Sequence, residues 1–258
     1  MKLQLLFNMI IRIYYYILQS TAKVRHIFMK HPQNLTQQLT HKLGLAIVSG
    51  HYPVGEGMPS EANLCEEFEV SRSSTREAVK MLSAKGLVSS RPKQGIKVLP
   101  ESNWNMFDTD VLSWILQSKP SLKLLKEFTQ VRFAIEPIAA ELAAKNATPK
   151  QIQNIEHALN RMSDAEEGLD DPLDADISFH SAILEASGNR FFLQLTPFIN
   201  TALRVSIRYT NHIKGVKNAD VNAHAKIFER IKKGDSDGAR ICVSGILEEA
   251  LSLIELKL

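Results

Sequence analysis

The sequence predicts a mainly α-helical protein, with an N-terminal winged helix-turn-helix domain followed by a C-terminal all-α helical bundle. Three observations carry this reading. Two short capped helices are joined by a very brief corner near residue 70, and a pair of short strands around a Pro- and Gly-containing turn follows them. Beyond Pro100 the strand signal ends and helix signals succeed one another to the C-terminus.

Apolar residues at Leu35, Leu39, Leu43 and Ile47 recur at helical spacing and predict a first helix stopped by Gly50. The stretch His51 to Pro59 is rich in turn formers. Ser60 is placed to cap a second helix ending near Phe68, with Leu64 inward. Ser71 is placed to cap a third, whose inward face is Ala78, Val79 and Leu82 and which ends at Gly86. Leu87–Ser90 and Ile96–Leu99 read as strands, with Arg91, Lys93 and Gly95 at the tip between them.

After a boundary near residues 100–108, helices are expected over Asp108–Gln117 and Ser121–Lys145, the latter kinked at Pro137. Thr148-Pro149-Lys150-Gln151 has capping-box spacing and opens a helix to about Ala165. Further helices run from Asp171-Pro172 to Gly188, from Phe191 to His212, from Asp220 to Lys233, and from Asp235 to the C-terminus. The chain thus divides into 1–28, 29–100 and 101–258. The first segment holds an apolar run from Leu3 to Leu18 that is short for a membrane span and contains Arg12. It is expected to be a non-native or disordered extension, with Met29 as the start and no membrane partner.

The 258 residues carry a formal net charge of only +3, so the distribution of charge matters more than its sum. Seven cations lie between Arg72 and Lys97 against one anion, Glu77. Cys65 and Cys242 are distant in sequence and lie outside any C-x-x-C pattern, which excludes a disulfide framework or zinc ribbon and fits a reducing, cytoplasmic setting. Ser71-Arg72-Ser73-Ser74-Thr75-Arg76 offers what a recognition helix needs: short hydroxyls and arginines in its first turns, with an apolar face behind. Arg72 and Arg76 are four residues apart and share one face. A guanidinium there can bind guanine bidentately or pair with phosphate.

Asp176 and His180 also share a face of one helix, and His224 opens a later one. Such a set of N and O ligands with open positions suits a divalent ion such as Zn, Ni or Mn, although an isolated D-x-x-x-H equally fits a hydrogen-bonded core histidine. A metal-dependent hydrolase using Asp176, His180 and His224 is the alternative reading. No nucleophile-and-base pair or Gly-rich phosphate loop accompanies them, so an enzyme is not expected.

Over residues 35–100, the spacing of Pro59-Ser60-Glu61, Leu64, Val70-Ser71-Arg72, Arg76-Glu77-Ala78 and Gly95 resembles the GntR superfamily of regulators. The resemblance implies operator contacts at Arg72, Ser73, Ser74 and Arg76, with Gly95 at the wing tip and Lys93 beside it. Ala62 stands where some members have a DNA-binding arginine. Over residues 103–257, Asp176 to His180, Ala186 to Asn189 and His224 to Phe228 resemble the helical (FCD-type) effector domain of the FadR-like branch. That resemblance implies a metal at Asp176, His180 and His224, and effector contacts at Arg132, Asp176, Asn189 and His224. The position expected for a fourth ligand holds Ile246. Arg132 matches the clamp for an effector carboxylate, and an i,i+4 pair with Glu136 is its other reading. The stretch Asn103 to Trp114 resembles the interdomain segment of repressors of sugar-acid operons. The expectation is a homodimeric repressor released from operator DNA by an aldonate or related small carboxylate.

Overall fold

Helix α1 (Leu35–Ser49) begins at a reciprocal cap, in which Asn34 and Gln37 each accept the other's backbone N–H. Two otherwise orphaned donors are satisfied together. The computed structural model describes residues 34–118, 121–215 and 219–258, without the side chains of 208, 212 and 214. The Leu3–Leu18 run lies outside the described residues. Helix α1 turns Leu39, Leu43, Ile47 and Val48 inward and ends at Gly50, whose φ of 86° closes the last turn in the left-handed region.

Ser60 and Ser71 cap α2 (Glu61–Phe68) and α3 (Arg72–Ala84), as their spacing predicts. The corner between them is tight because Glu69 adopts a positive φ of 52°. Helix α3 buries Thr75, Ala78, Val79 and Leu82 against α1. Strands β1 (Val88–Arg91) and β2 (Gly95–Val98) pair antiparallel, with Val88 opposite Val98 and Arg91 opposite Gly95. The connector before α2, legible only as turns, runs along the free edge of β2. Met58 N–H donates to the Ile96 carbonyl, and Glu56 and Gly55 exchange bonds with Val98. This covers an edge that would otherwise be open to pairing.

Six helices form the C-terminal bundle: α5 (Leu122–Asn146), α6 (Pro149–Glu166), α7 (Pro172–Ala186), α8 (Arg190–Lys214), α9 (Val221–Lys232) and α10 (Ser236–Glu255). Helix α5 runs through Pro137 as one continuous element. The predicted capping box at Thr148 and Gln151 is present. Helix α7 packs on α5, α6 and α8 and is buried over most of its circumference, from Ala175 through Ile177, Phe179 and Ile183 to Ala186. An all-round buried helix is where a polar group is costliest, which makes Asp176 and His180 conspicuous.

Between the two cores lies α4 (Thr109–Ser118). Its Val111 and Trp114 belong to the N-terminal core, whereas Leu112 and Leu116 belong to the bundle. Packing therefore divides along this helix rather than at residue 100. The Trp114 indole N–H donates to His41 Nδ1 at 2.8 Å, and its six-membered ring lies over Gly44. Lys85, at the end of α3, binds Asp108 at 2.7 Å and Asp110 at 2.8 Å, while Asp108 also caps α4. Phe107 meets Phe198 of α8 with ring centroids 4.9 Å apart. Among the described residues, no helix is long and apolar enough to cross a membrane.

A Cβ at Gly44 would sit 2.3 Å from the Trp114 ring. In an exposed helix, Gly to Ala gains about 1 kcal/mol. Here Gly44→Ala is expected to lower stability by about 1–3 kcal/mol through overpacking, read by urea denaturation. A gain in stability would show that α4 does not seat on α1 in this way.

Candidate DNA-reading surface and buried effector site

Helix α3 presents Arg72, Ser73 and Arg76 to solvent and keeps Ser74 half-buried. The Ser71 cap positions this turn, since its hydroxyl accepts the Ser74 N–H and is shared with the Ser73 and Ser74 hydroxyls. Among the described residues, neither arginine enters an ion pair. At the wing tip, Arg91, Pro92, Lys93, Gln94 and Gly95 are all exposed. Lys93 at φ 63° and Gly95 at φ 74° shape the turn that projects them. The six DNA-binding candidates thus lie on the N-terminal turns of α3 and at the wing tip.

The second site is inside the bundle. Helix α5 supplies Arg132 and Glu136, α7 supplies Asp176 and His180, and α9 supplies His224, each 3–5% exposed. Arg132 forks onto Glu136 with bonds of 2.6 and 3.1 Å. Glu136 Oε2 lies 2.8 Å from His180 Nδ1, so the ring's other nitrogen points to Asp176 Oδ1 at 3.2 Å. His224 Nδ1 donates to the Asp220 carbonyl at 2.7 Å, which turns Nε2 toward Asp176 Oδ1 at 3.4 Å. Asp176 Oδ1 and His224 Nε2 lack a hydrogen-bond partner despite complete burial.

Electrostatics follow from this packing. Burial alone would raise the Glu136 pKa, yet Arg132 and His180 bring it down to about 2. Burial disfavours the His180 cation, but the Glu136 and Asp176 carboxylates push its pKa up to about 9. Asp176 is held well below the ordinary carboxylate range: both histidines outweigh the cost of burial. The cluster is therefore a set of charges that offset one another.

Asp176, His180 and His224 offer one ligand atom each, all within 4.8 Å of one another. The two orphaned atoms are those an ion would engage, and both imidazoles are oriented from behind by oxygen acceptors, as metal-binding histidines usually are. The residues fit a divalent cation. Ile246 is partly buried and packs on the apolar core, consistent with the absent fourth ligand. The side chain of His212 lies outside the described residues.

Arg132 does reach the site, 3.4 Å from His180 Nε2, but it is already bound to Glu136. Both readings of that residue therefore meet in one geometry. Asn189 is not gathered into the cluster. Its carboxamide oxygen caps the start of α8 by accepting the Phe191 N–H. Thr210 bonds back to its own helix, and Asp220 caps α9 while its carbonyl orients His224. Glu136 is the residue missed as a site member. Its carboxylate stands beside the histidines as a general base would, but its low pKa and its bond to Arg132 make it a poor one.

Residues 35–98 match the family model for bacterial regulatory proteins of the gntR family, and residues 127–249 match the FCD domain. The chain is 34% identical over 207 residues to the galactonate operon transcriptional repressor of Escherichia coli, covering 80% of this chain and 90% of that protein. It is 32% identical over 167 residues to the transcriptional regulator LutR of Bacillus subtilis, covering 65% and 74%. Among solved structures, the Listeria monocytogenes protein Lar superposes with a TM-score of 0.57 at 18% identity, over 88% of this chain and 99% of that one, a likeness of fold alone. Nothing in these matches supports the hydrolase alternative. The chain belongs to the GntR family, as a transcriptional regulator that joins a gntR-type DNA-binding domain to an FCD domain, and it is not an enzyme.

Proposed function

We propose that this regulator is a homodimeric repressor of a sugar-acid catabolic operon, released from its operator when an aldonate or related hydroxy acid enters the buried site. The observation that carries the sensing role is the pair of unpartnered buried atoms, Asp176 Oδ1 and His224 Nε2, beside the Arg132 guanidinium. Such orphans are expensive unless something binds them. The choice of sugar acid is supported by the identity to the galactonate operon repressor. Because it acts on the chromosome, the protein works in the cytoplasm.

Asp176, His180 and His224 would hold a zinc, nickel or manganese ion. The ion supplies positive charge and open coordination positions to ligand oxygens. Glu136 and the Asp220 carbonyl would hold the two imidazoles in place for it. Arg132 keeps donors beyond those spent on Glu136 and so retains capacity for a carboxylate. Arg72 and Arg76 read or grip the major groove, Ser73 and Ser74 contact the backbone, and Lys93 and Gly95 carry the wing toward the neighbouring groove. A change among α5, α7 and α9 reaches the DNA-binding domain through α4. Coupling of ~1–3 kcal/mol would weaken operator binding about 5–150-fold.

Arg72→Ala and Arg76→Ala are each expected to weaken binding to DNA from the protein's own locus by about 5–150-fold, with melting temperature unchanged. Fluorescence anisotropy checks this, and retained affinity would move the recognition surface elsewhere. Calorimetric titration with a panel of aldonates tests the effector class: binding lost in Arg132→Met is expected, and no binding by any member would remove sugar acids from the account.

The acid-base balance of the site gives a further expectation. The folded pKa of His180, about 9, lies above its ordinary value of 6.5. Without metal, its proton therefore stabilises the fold fully below about pH 6.5, and that contribution is lost as pH rises through about 9. Metal must displace that proton, so affinity should climb about tenfold per pH unit over the same window. Melting curves of metal-free protein and chelator competition measure the two trends, and flat profiles in both would contradict the arrangement.

A further inference from the structure

Among the described residues, four buried side-chain atoms have no hydrogen-bond partner. Asp176 Oδ1 and His224 Nε2 belong to the cluster described above. A third, Ser206 Oγ, comes from α8, a helix that supplies none of that cluster's residues. Ser206 is only 2% exposed, so bulk water does not satisfy it. Hydroxyls inside helices commonly donate to the carbonyl four residues back. Ser118, Ser178 and Ser181 do so here, as do Thr201 and Thr210 on α8 itself. Ser206 does not, so its hydroxyl is turned away from its own backbone and carries an uncompensated desolvation cost.

Two contacts fix where this hydroxyl lies along the bundle. Ser181 of α7 donates to Asn200 Oδ1 of α8 at 2.9 Å, and Arg204 of α8 donates to Asp174 of α7 at 2.7 Å. The two helices are therefore antiparallel, and the stretch of α7 between these contacts bears Asp176 and His180. Both helices rise about 1.5 Å per residue. Counted equally along each from the Ser181–Asn200 contact, Ser206 comes level with Ala175, the neighbour of Asp176. Its Cβ leans toward the N-terminus of α8, which is the direction of Asp176 and His180. Ser206 also shares its stripe with Ala202 and Leu203, both in the core of the bundle. Thr196 Oγ1, the fourth such atom, lies level with Glu185 near the far end of α7 and stands apart from the site.

A carboxylate in this site already has Arg132 to bind it, so a neutral hydroxyl from another helix has a different task. It can both donate and accept, as an alcohol group does. We infer that Ser206 is a specificity-determining contact, pairing its hydroxyl with one on the carbon chain of the acid whose carboxylate Arg132 holds. The inference rests on the sugar-acid reading above and adds to it a residue that separates hydroxy acids from plain ones. A site built to bond a ligand hydroxyl discriminates against the analogue lacking it, because its own buried group is then left unpaired.

Calorimetric titration of the full chain with zinc present, using galactonate, gluconate and the monodeoxy analogues of each, tests this. Ser206→Ala is expected to bind the tighter of the two acids about 3- to 10-fold more weakly than the wild type does. The analogue lacking the hydroxyl that Ser206 engages should bind both proteins equally, the signature of one lost pair. An equal loss for every analogue would overturn the inference, since a structural role acts on all ligands alike. Ser206→Cys keeps the shape and weakens the donor, so it should lose affinity in the same pattern; full wild-type affinity there would assign the effect to packing. Without metal or ligand, Ser206→Ala should melt no lower than the wild type, because removing an unpaired buried hydroxyl relieves a cost. A lower melting temperature would show that the hydroxyl has a partner within the fold, and the inference would fail. If the wild type binds either acid and Ser206→Ala binds it as tightly, Ser206 is no contact while the sensing reading stands. If neither acid binds the wild type, the sugar-acid reading fails, and the partner assigned to Ser206 falls with it.

Discussion

Mutual neutralisation of five polar groups inside the helical bundle is the constraint on which the rest of this domain depends. Arg132, Glu136, Asp176, His180 and His224 come from three helices and are nearly inaccessible to water. No one of them is tolerable alone in an apolar interior. Helices α5, α7 and α9 must therefore meet at a fixed rotation, because a turn of any one by a single residue would bury an unpaired charge. Among the described residues, two atoms of this network, Asp176 Oδ1 and His224 Nε2, have no hydrogen-bond partner, so the neutralisation is incomplete at one point.

The two halves of the molecule share α4. Hydrophobic residues on two of its faces enter different cores, so neither core is complete without it. Trp114 fits only because α1 has Gly44 beneath it, and Lys85 clasps the N-terminal end of the same helix. This short helix, together with the Phe107–Phe198 contact, packs the bundle against the N-terminal domain.

Features set by neighbouring residues were legible in the sequence. Ser60, Ser71, Thr148 and Asp171 marked helix starts because capping is a bond to the next few backbone amides. Gly50 marked a stop because a left-handed residue ends a helix wherever the fold places it. The i,i+4 pair Asp176 and His180 was legible for the same reason. What spacing along one helix does not carry is which helix faces it. The bond of Glu136 to His180, the indole of Trp114 over Gly44, and the pairing of the 55–58 connector with β2 are all contacts between distant segments. Arg132 left two readings open because an effector clamp and a Glu136 partner need the same residue at the same place.

The clasp at Lys85 has a consequence for how the head meets a duplex. Its side chain is only 13% exposed and its ammonium is claimed by two aspartates. Of the basic residues crowded between Arg72 and Lys97, this one has little charge left to give to phosphate. Fewer condensed cations are then expelled per head on binding than composition implies, and the ionic-strength dependence of association is correspondingly gentler.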